Sequence, residues 1–276
     1  MVRNLVFISL FFCFINIQAQ NIHDLNHSKQ FADYLFKTHQ YSLAAEEYER
    51  IAFLEPENLQ NKYLLITSYR KAQEYQQALT RFNIFFYNNL SNIPADFAEE
   101  YVKLLLLTRQ DSLALSYLNT NESLNQELKQ NYQLSALLLQ KKWNDAFNFA
   151  MSYPVTNEKM NSQLHLLAFE AKRIKYKSPA LAGFMSAVVP GTGKFYTKYW
   201  KDGIIAMLFV GLNAWQAYRG FDKYGKKSAY GWIFAGLSAT FYLGNIYGSV
   251  KSAKKYNKNL DNELYQKALH IALDDL

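Results

Sequence analysis

Pro190-Gly191-Thr192-Gly193-Lys194 is the stretch best equipped by residue type to cradle a phosphate. A phosphate-binding loop also needs glycine where Val188 stands and a Ser or Thr hydroxyl where Phe195 stands. Without that hydroxyl there is no magnesium ligand, so the sequence does not predict nucleotide binding. His23 and His27, with Asp24 nearby, have the i, i+4 spacing of a weak metal pair, but two solvated side chains near a chain end are the simpler reading. The other histidines, at 39, 165 and 270, are scattered. There is no HExxH, no GxSxG and no dense carboxylate set, so no catalytic residue, metal site or cofactor is expected and the chain does not read as an enzyme.

Charge narrows the partners. The net charge of +7 over 276 residues is unevenly placed: residues 21–177 balance, whereas 178–276 carry twelve Lys/Arg against six Asp/Glu. That surplus accompanies the most apolar part of the chain, which points to anionic lipid headgroups rather than nucleic acid. Cys13 is the single cysteine, so no disulfide framework can form. Residues 1–19 read as a secretory signal peptide, with Arg3 in the basic region, an apolar core over Leu5–Ile17, and cleavage after Ala19. Export to the cell envelope follows as an expectation.

The elements that would position any site are helices. From 28 to 176 the chain is rich in Leu, Ala, Tyr, Glu and Gln, and its prolines fall between periodic segments. Ala44, Tyr48 and Ile51, followed by Pro56, have the spacing of the second helix of a helical-hairpin repeat. Ala78, Phe82 and Phe85 occupy the same three positions one repeat later. The pairs Phe31/Leu35 and Leu65/Tyr69 keep that period in the preceding helices. Residues 28–92 therefore resemble two tandem tetratricopeptide repeats, with degenerate continuations at Ala114–Leu118 and at Trp143, Ala146 and Ala150. The resemblance implies a solenoid over 20–176 in which small residues let the helices of each hairpin approach. Under that alignment the face of the first helices carries Lys29, Asp33, Phe36, Tyr63, Thr67 and Arg70, a mixed surface suited to a protein or peptide partner.

Residues 177–250 form a second region, bounded by the basic run Lys172, Arg173, Lys175 and Lys177. Gly203–Tyr218 and Ala229–Val250 are 16 and 22 residues without a charge, or roughly 24 and 33 Å of helix against a hydrocarbon core of about 30 Å. Gly231, Ala235 and Ala239, with Gly244 and Gly248, supply rows of small residues for close packing. Asn213 and Asn245 are candidate buried polar groups, and 260–273 reads as a short amphipathic helix.

Ser178, Pro179, Pro190, Gly191, Gly193, Tyr196, Tyr199, Trp200 and Lys201 match the signature of an uncharacterised family of Bacteroidetes membrane proteins, which this region resembles, although Lys194 stands where that family often has Gln. The resemblance implies a membrane hairpin with a re-entrant or interfacial lead-in, and no known activity. The combined expectation is an all-α chain: signal peptide, helical-repeat solenoid, two-helix transmembrane hairpin, and a basic then amphipathic tail over 251–276. Its function would be that of an inner-membrane-anchored envelope scaffold or adaptor with periplasmic repeats. The alternative is a small transport or lipid-handling protein that uses the break at Pro190–Gly193.

Overall fold

The computed structural model describes residues 25–87, 90 and 93–273, and the signal-peptide segment and His23 lie outside them. The described residues are helical throughout, with no strand. They divide into two compact units that part between Leu124 and Asn125.

The first unit contains α1 (Leu25–Lys37), α2 (Tyr41–Leu54), α3 (Leu59–Lys71), α4 (Tyr75–Phe86), α5 (Ala95–Leu107) and α6 (Asp111–Thr120). The starts of α1 and α2, Leu25 and Tyr41, are repeated at one and the same interval by Leu59 and Tyr75, the starts of α3 and α4. The hairpins also share their turn chemistry. His39, Gln73 and Arg109 adopt left-handed backbone at φ 61°, 63° and 62°. The residue after each donates its N–H five residues back, Gln40 to Leu35, Glu74 to Tyr69 and Gln110 to Leu105, at 2.8–2.9 Å. That is the Schellman closure, which satisfies the carbonyls left over at a helix C-terminus.

Within this unit Ala44 and Ala78 are fully buried where paired helices approach, and Tyr48, Ile51, Leu65, Ile66, Phe82 and Leu105 fill the space between pairs. Each large side chain removed from water contributes about 1.5–3 kcal/mol. An aromatic chain continues the packing: Phe82 stacks on Tyr101 at 4.5 Å, and Tyr101 meets the edge of Tyr117 at 4.9 Å.

The second unit contains α7 (Gln126–Leu139), α8 (Trp143–Ala150), α9 (Lys159–Lys172), α10 (Pro179–Val188), α11 (Thr192–Tyr196), α12 (Trp200–Tyr224) and α13 (Ala229–Leu273). Lys141 and Lys198 close α7 and α11 with the same turn, at φ 59° and 66°. Asn131 and Asn161 are wholly buried between α7 and α9 and bond to one another at 3.1 Å.

The expected hairpin of 203–218 and 229–250 exists as α12 against α13, but its expected environment is corrected. No helix among the described residues is long and apolar enough to cross a membrane. That overturns the transmembrane hairpin and the reading of the chain as a membrane-spanning protein. The physical reason is that an uncharged run is not an apolar one. Asn213 and Gln216 break the apolar character of α12 before Arg219 ends it, and α13 interleaves Gly, Ser, Thr, Tyr and Asn245 among its aliphatic residues. The lead-in to this hairpin folds as two short helices, α10 and α11, joined at Val189–Gly191. Helix α10 begins at an N-cap, Ser178, whose hydroxyl accepts from Leu181 N–H at 3.2 Å, with Pro179 in the first turn.

The short helix expected at 260–273 is not separate either. It continues α13, a 45-residue helix, because no proline or glycine interrupts 251–259.

Candidate functional site

Two places gather the candidate residues. On the first-helix face of the first unit, most of the predicted binding residues are turned to structural work. Lys29 pairs with Glu55 at 2.7 Å. Asp33 accepts the Tyr48 hydroxyl at 2.5 Å, and that contact, after burial itself, holds the phenol well above its usual range. Phe36 packs edge-on against Tyr41 and Tyr48. Thr67 is buried. Arg70, 3% exposed, meets Glu100, 1% exposed, at 2.5 Å. That guanidinium neutralises an internal carboxylate, since a buried charge left alone would cost several kcal/mol.

Tyr63 is different. Its ring meets Phe97 edge-on at 5.4 Å, and the two help line a groove of about 360 Å³ with Leu59, Gln60, Pro94 and Asp96. The volume falls in the range of small-ligand and side-chain pockets. Asp96 is exposed and Phe97 is buried. The sequence reading missed Phe97 because it ended the clear repeats at 92. Phe97 follows Tyr63 by the same interval that separates Ala44 from Ala78, so the period itself could have found it.

The second place is the motif residues of 178–201, which the structure brings together as a junction of α10, α11, α12 and α13. Gly191 has φ 92°, and a Cβ there would collide with the carbonyl oxygen of Gly203. A Cβ at Gly193 would collide with the carbonyl oxygen of Ala182, while Gly193 N–H donates to Ser186 Oγ at 2.9 Å. The Pro190–Gly193 break is therefore a close crossing of backbones, which explains its glycines without a ligand.

Tyr196 accepts from Ser178 N–H at 3.2 Å, and its ring lies under Lys177 Nζ at 4.5 Å. Lys255 sits over Tyr199 and Lys201 over Trp200, at 5.6 and 5.7 Å. Lys172 of the basic run lies over the Phe147 ring at 5.5 Å. Cation–π pairing of this kind anchors side chains at exposed sites by about 0.5–1 kcal/mol.

The small-residue rows divide. Gly231 packs where α12 and α13 touch, since a Cβ on Gly220 would lie 2.7 Å from Gly231 Cα. Ala235 is half-buried and Ala239 exposed. A Cβ on Gly244 would meet nothing within 4 Å, and one on Gly248 would meet only the Lys194 side chain. Asn213 bonds locally to Phe209 O at 2.6 Å. Asn245 is buried, 3% exposed.

Among the described residues no group of His, Cys, Asp and Glu is placed to hold a metal ion. His165 is buried with its ring nitrogens 2.9 Å from Asn161 O and 3.0 Å from Ala150 O. Comparisons with family models, with curated proteins and with solved structures return no match.

Proposed function

We propose that this chain is an interaction protein whose helical array binds a peptide or protein segment at the Tyr63–Phe97 groove. The supporting observation is that groove: two aromatic rings 5.4 Å apart beside the exposed carboxylate of Asp96. The Leu59, Tyr63 and Pro94 side chains favour an aliphatic or aromatic anchor on the partner, and the carboxylate of Asp96 favours a neighbouring Lys or Arg. The other candidate cations on this face, Lys29 and Arg70, are held by Glu55 and Glu100, which disfavours an acidic partner. Export to the cell envelope through residues 1–19 belongs to the same proposal, and sequencing the N-terminus of the mature protein tests it.

Selecting a displayed peptide library against the full chain tests the binding reading. Enriched peptides are expected to share an apolar residue beside a basic one. Their affinity should fall at least tenfold with Tyr63→Ala and with Asp96→Lys, and stay unchanged with Lys175→Ala. Peptides indifferent to both groove substitutions would sink the reading.

A further inference from the structure

Where α12 ends and α13 begins, the second unit carries a pocket of about 460 Å³ lined by Gln216, Arg219, Gly220, Lys223, Tyr224 and Tyr230. Gln216, Gly220 and Lys223 recur at helical spacing and so share one face of α12, with Arg219 beside them. Arg219 and Lys223 stand four residues apart, and two like charges at that spacing repel. Elsewhere Lys29, Arg70, Arg81, Lys103 and Lys267 are each paired with a glutamate. Among the described residues neither Arg219 nor Lys223 has such a partner. Asp222 is exposed and is not part of the pocket wall, and Lys226 and Lys227 in the next turn add to the local positive charge.

Both cations are steadied by rings. The Arg219 guanidinium lies over Trp215 at 5.2 Å, and Lys223 Nζ lies over Tyr224 at 5.2 Å. Part of the ordering cost of two long side chains is therefore met before a ligand arrives. The wall also carries a fixed amide. The Tyr230 hydroxyl donates to Gln216 Oε1 at 2.8 Å, which occupies the oxygen and leaves Nε2 as a donor.

We infer that this pocket binds a phosphate monoester. Its dianion answers both cations at once, where a single carboxylate would leave one uncompensated. The Arg219 guanidinium pairs with two phosphate oxygens, Lys223 acts on the group as a point charge, and Gln216 Nε2 donates to it. The volume lies in the range of small-ligand sites, so there is room for the organic part of the ester as well. The exposed rings of Tyr224 and Tyr230 offer that part a flat apolar surface.

Calorimetric titration of the full chain at about pH 8, where a phosphate monoester is a dianion, tests this with phenyl phosphate and the singly charged phenyl sulfate. Phenyl phosphate is expected to bind saturably and at least tenfold tighter than phenyl sulfate. Arg219→Gln and Lys223→Gln should each weaken it at least tenfold. Lys254→Gln removes the same charge from an exposed site further along α13 and should leave binding unchanged. Circular dichroism checks that each variant is folded. Sedimentation with phosphatidylcholine vesicles containing phosphatidic acid separates the two sources of such an ester. Co-sedimentation that is lost in Arg219→Gln assigns a lipid headgroup, and any other result assigns a soluble ester. No saturable binding of phenyl phosphate, equal affinity for the two probes, or an equal loss in Lys254→Gln would each overturn the proposal. Peptide binding at Tyr63 is read separately, so either proposal can fail without the other.

Discussion

Individual side chains in the first unit set testable limits on what its surface can do. Arg70 and Glu100 are both almost wholly buried, and Glu100 Oε2 lacks a partner. Removing one member of such a pair strands the other charge at a cost of about 3–5 kcal/mol, whereas replacing both by apolar residues can be nearly neutral. Urea unfolding should therefore show Arg70→Met destabilised by about 3–5 kcal/mol, with most of the loss recovered in Arg70→Met/Glu100→Leu. An additive double variant would mean the pair is not a unit. Tyr69 gives a pH signature. Burial, then its hydrogen bond to Glu49, pushes its phenol from 10.0 up to about 12. Below pH 10 the hydroxyl is neutral in both states and its contribution is complete. Between pH 10 and about 12 the unfolded chain ionises first, so stability falls as pH rises. Tyr69→Phe should flatten part of that alkaline decline; an unchanged profile would assign the decline to other tyrosines.

Helices were the most legible level in the sequence, because a hairpin-length period survives substitution at any one position. The repeated positions Ala44, Tyr48, Ala78 and Phe82 are all buried. The turn residues were not legible, since His39, Gln73, Arg109, Lys141 and Lys198 take left-handed backbone with none of the glycine that usually announces it. Candidate binding residues on the first helices were legible only as positions. Whether a charge there faces water or a partner such as Glu100 depends on a helix 30 residues further on. The hairpin of α12 and α13 was visible, but its surroundings were misread from missing charge. Glycines separate the two kinds of position cleanly. Gln73→Gly should raise stability by about 1 kcal/mol by relieving left-handed strain. Gly211 lies mid-helix with open space around its Cα, so Gly211→Ala should stabilise by about 1 kcal/mol. Gly193→Ala, driven into backbone, should cost about 3 kcal/mol or more. Thermal melts of these three variants check all the signs, and a stabilised Gly193→Ala would refute the crossing at the junction.

At the scale of the second unit, α13 is the connecting member. Its 45 residues extend roughly 68 Å, long enough to serve two partners in succession. The first part pairs with α12 through Gly231 and with α10 through Ser249, whose hydroxyl meets Ser186 Oγ at 2.7 Å. Asn257 then clamps the entry to α10, accepting from Lys177 N–H at 2.8 Å and donating to its carbonyl at 2.9 Å. The last part lies against the helices that precede it. Asp261 accepts from the Tyr176 hydroxyl at 2.5 Å and from Trp143 Nε1 at 3.3 Å. Lys267 pairs with Glu170 at 2.7 Å, and Leu264, Ala268, Ala272 and Leu273 are buried. A chain ending at Asn259 would lose every one of these last contacts while keeping the pairing with α12 and α10. Hydrogen exchange on it should show amides of α7 to α9 exchanging at least tenfold faster, with those of α12 and the retained part of α13 unchanged. Leu264→Asp in the full-length chain should reproduce the effect by placing a carboxylate in the buried seam. Uniform acceleration across the whole unit would instead make α12–α13 and α7–α9 one cooperative body. Unchanged protection of α7 to α9 would show that the end of α13 adds nothing to their stability.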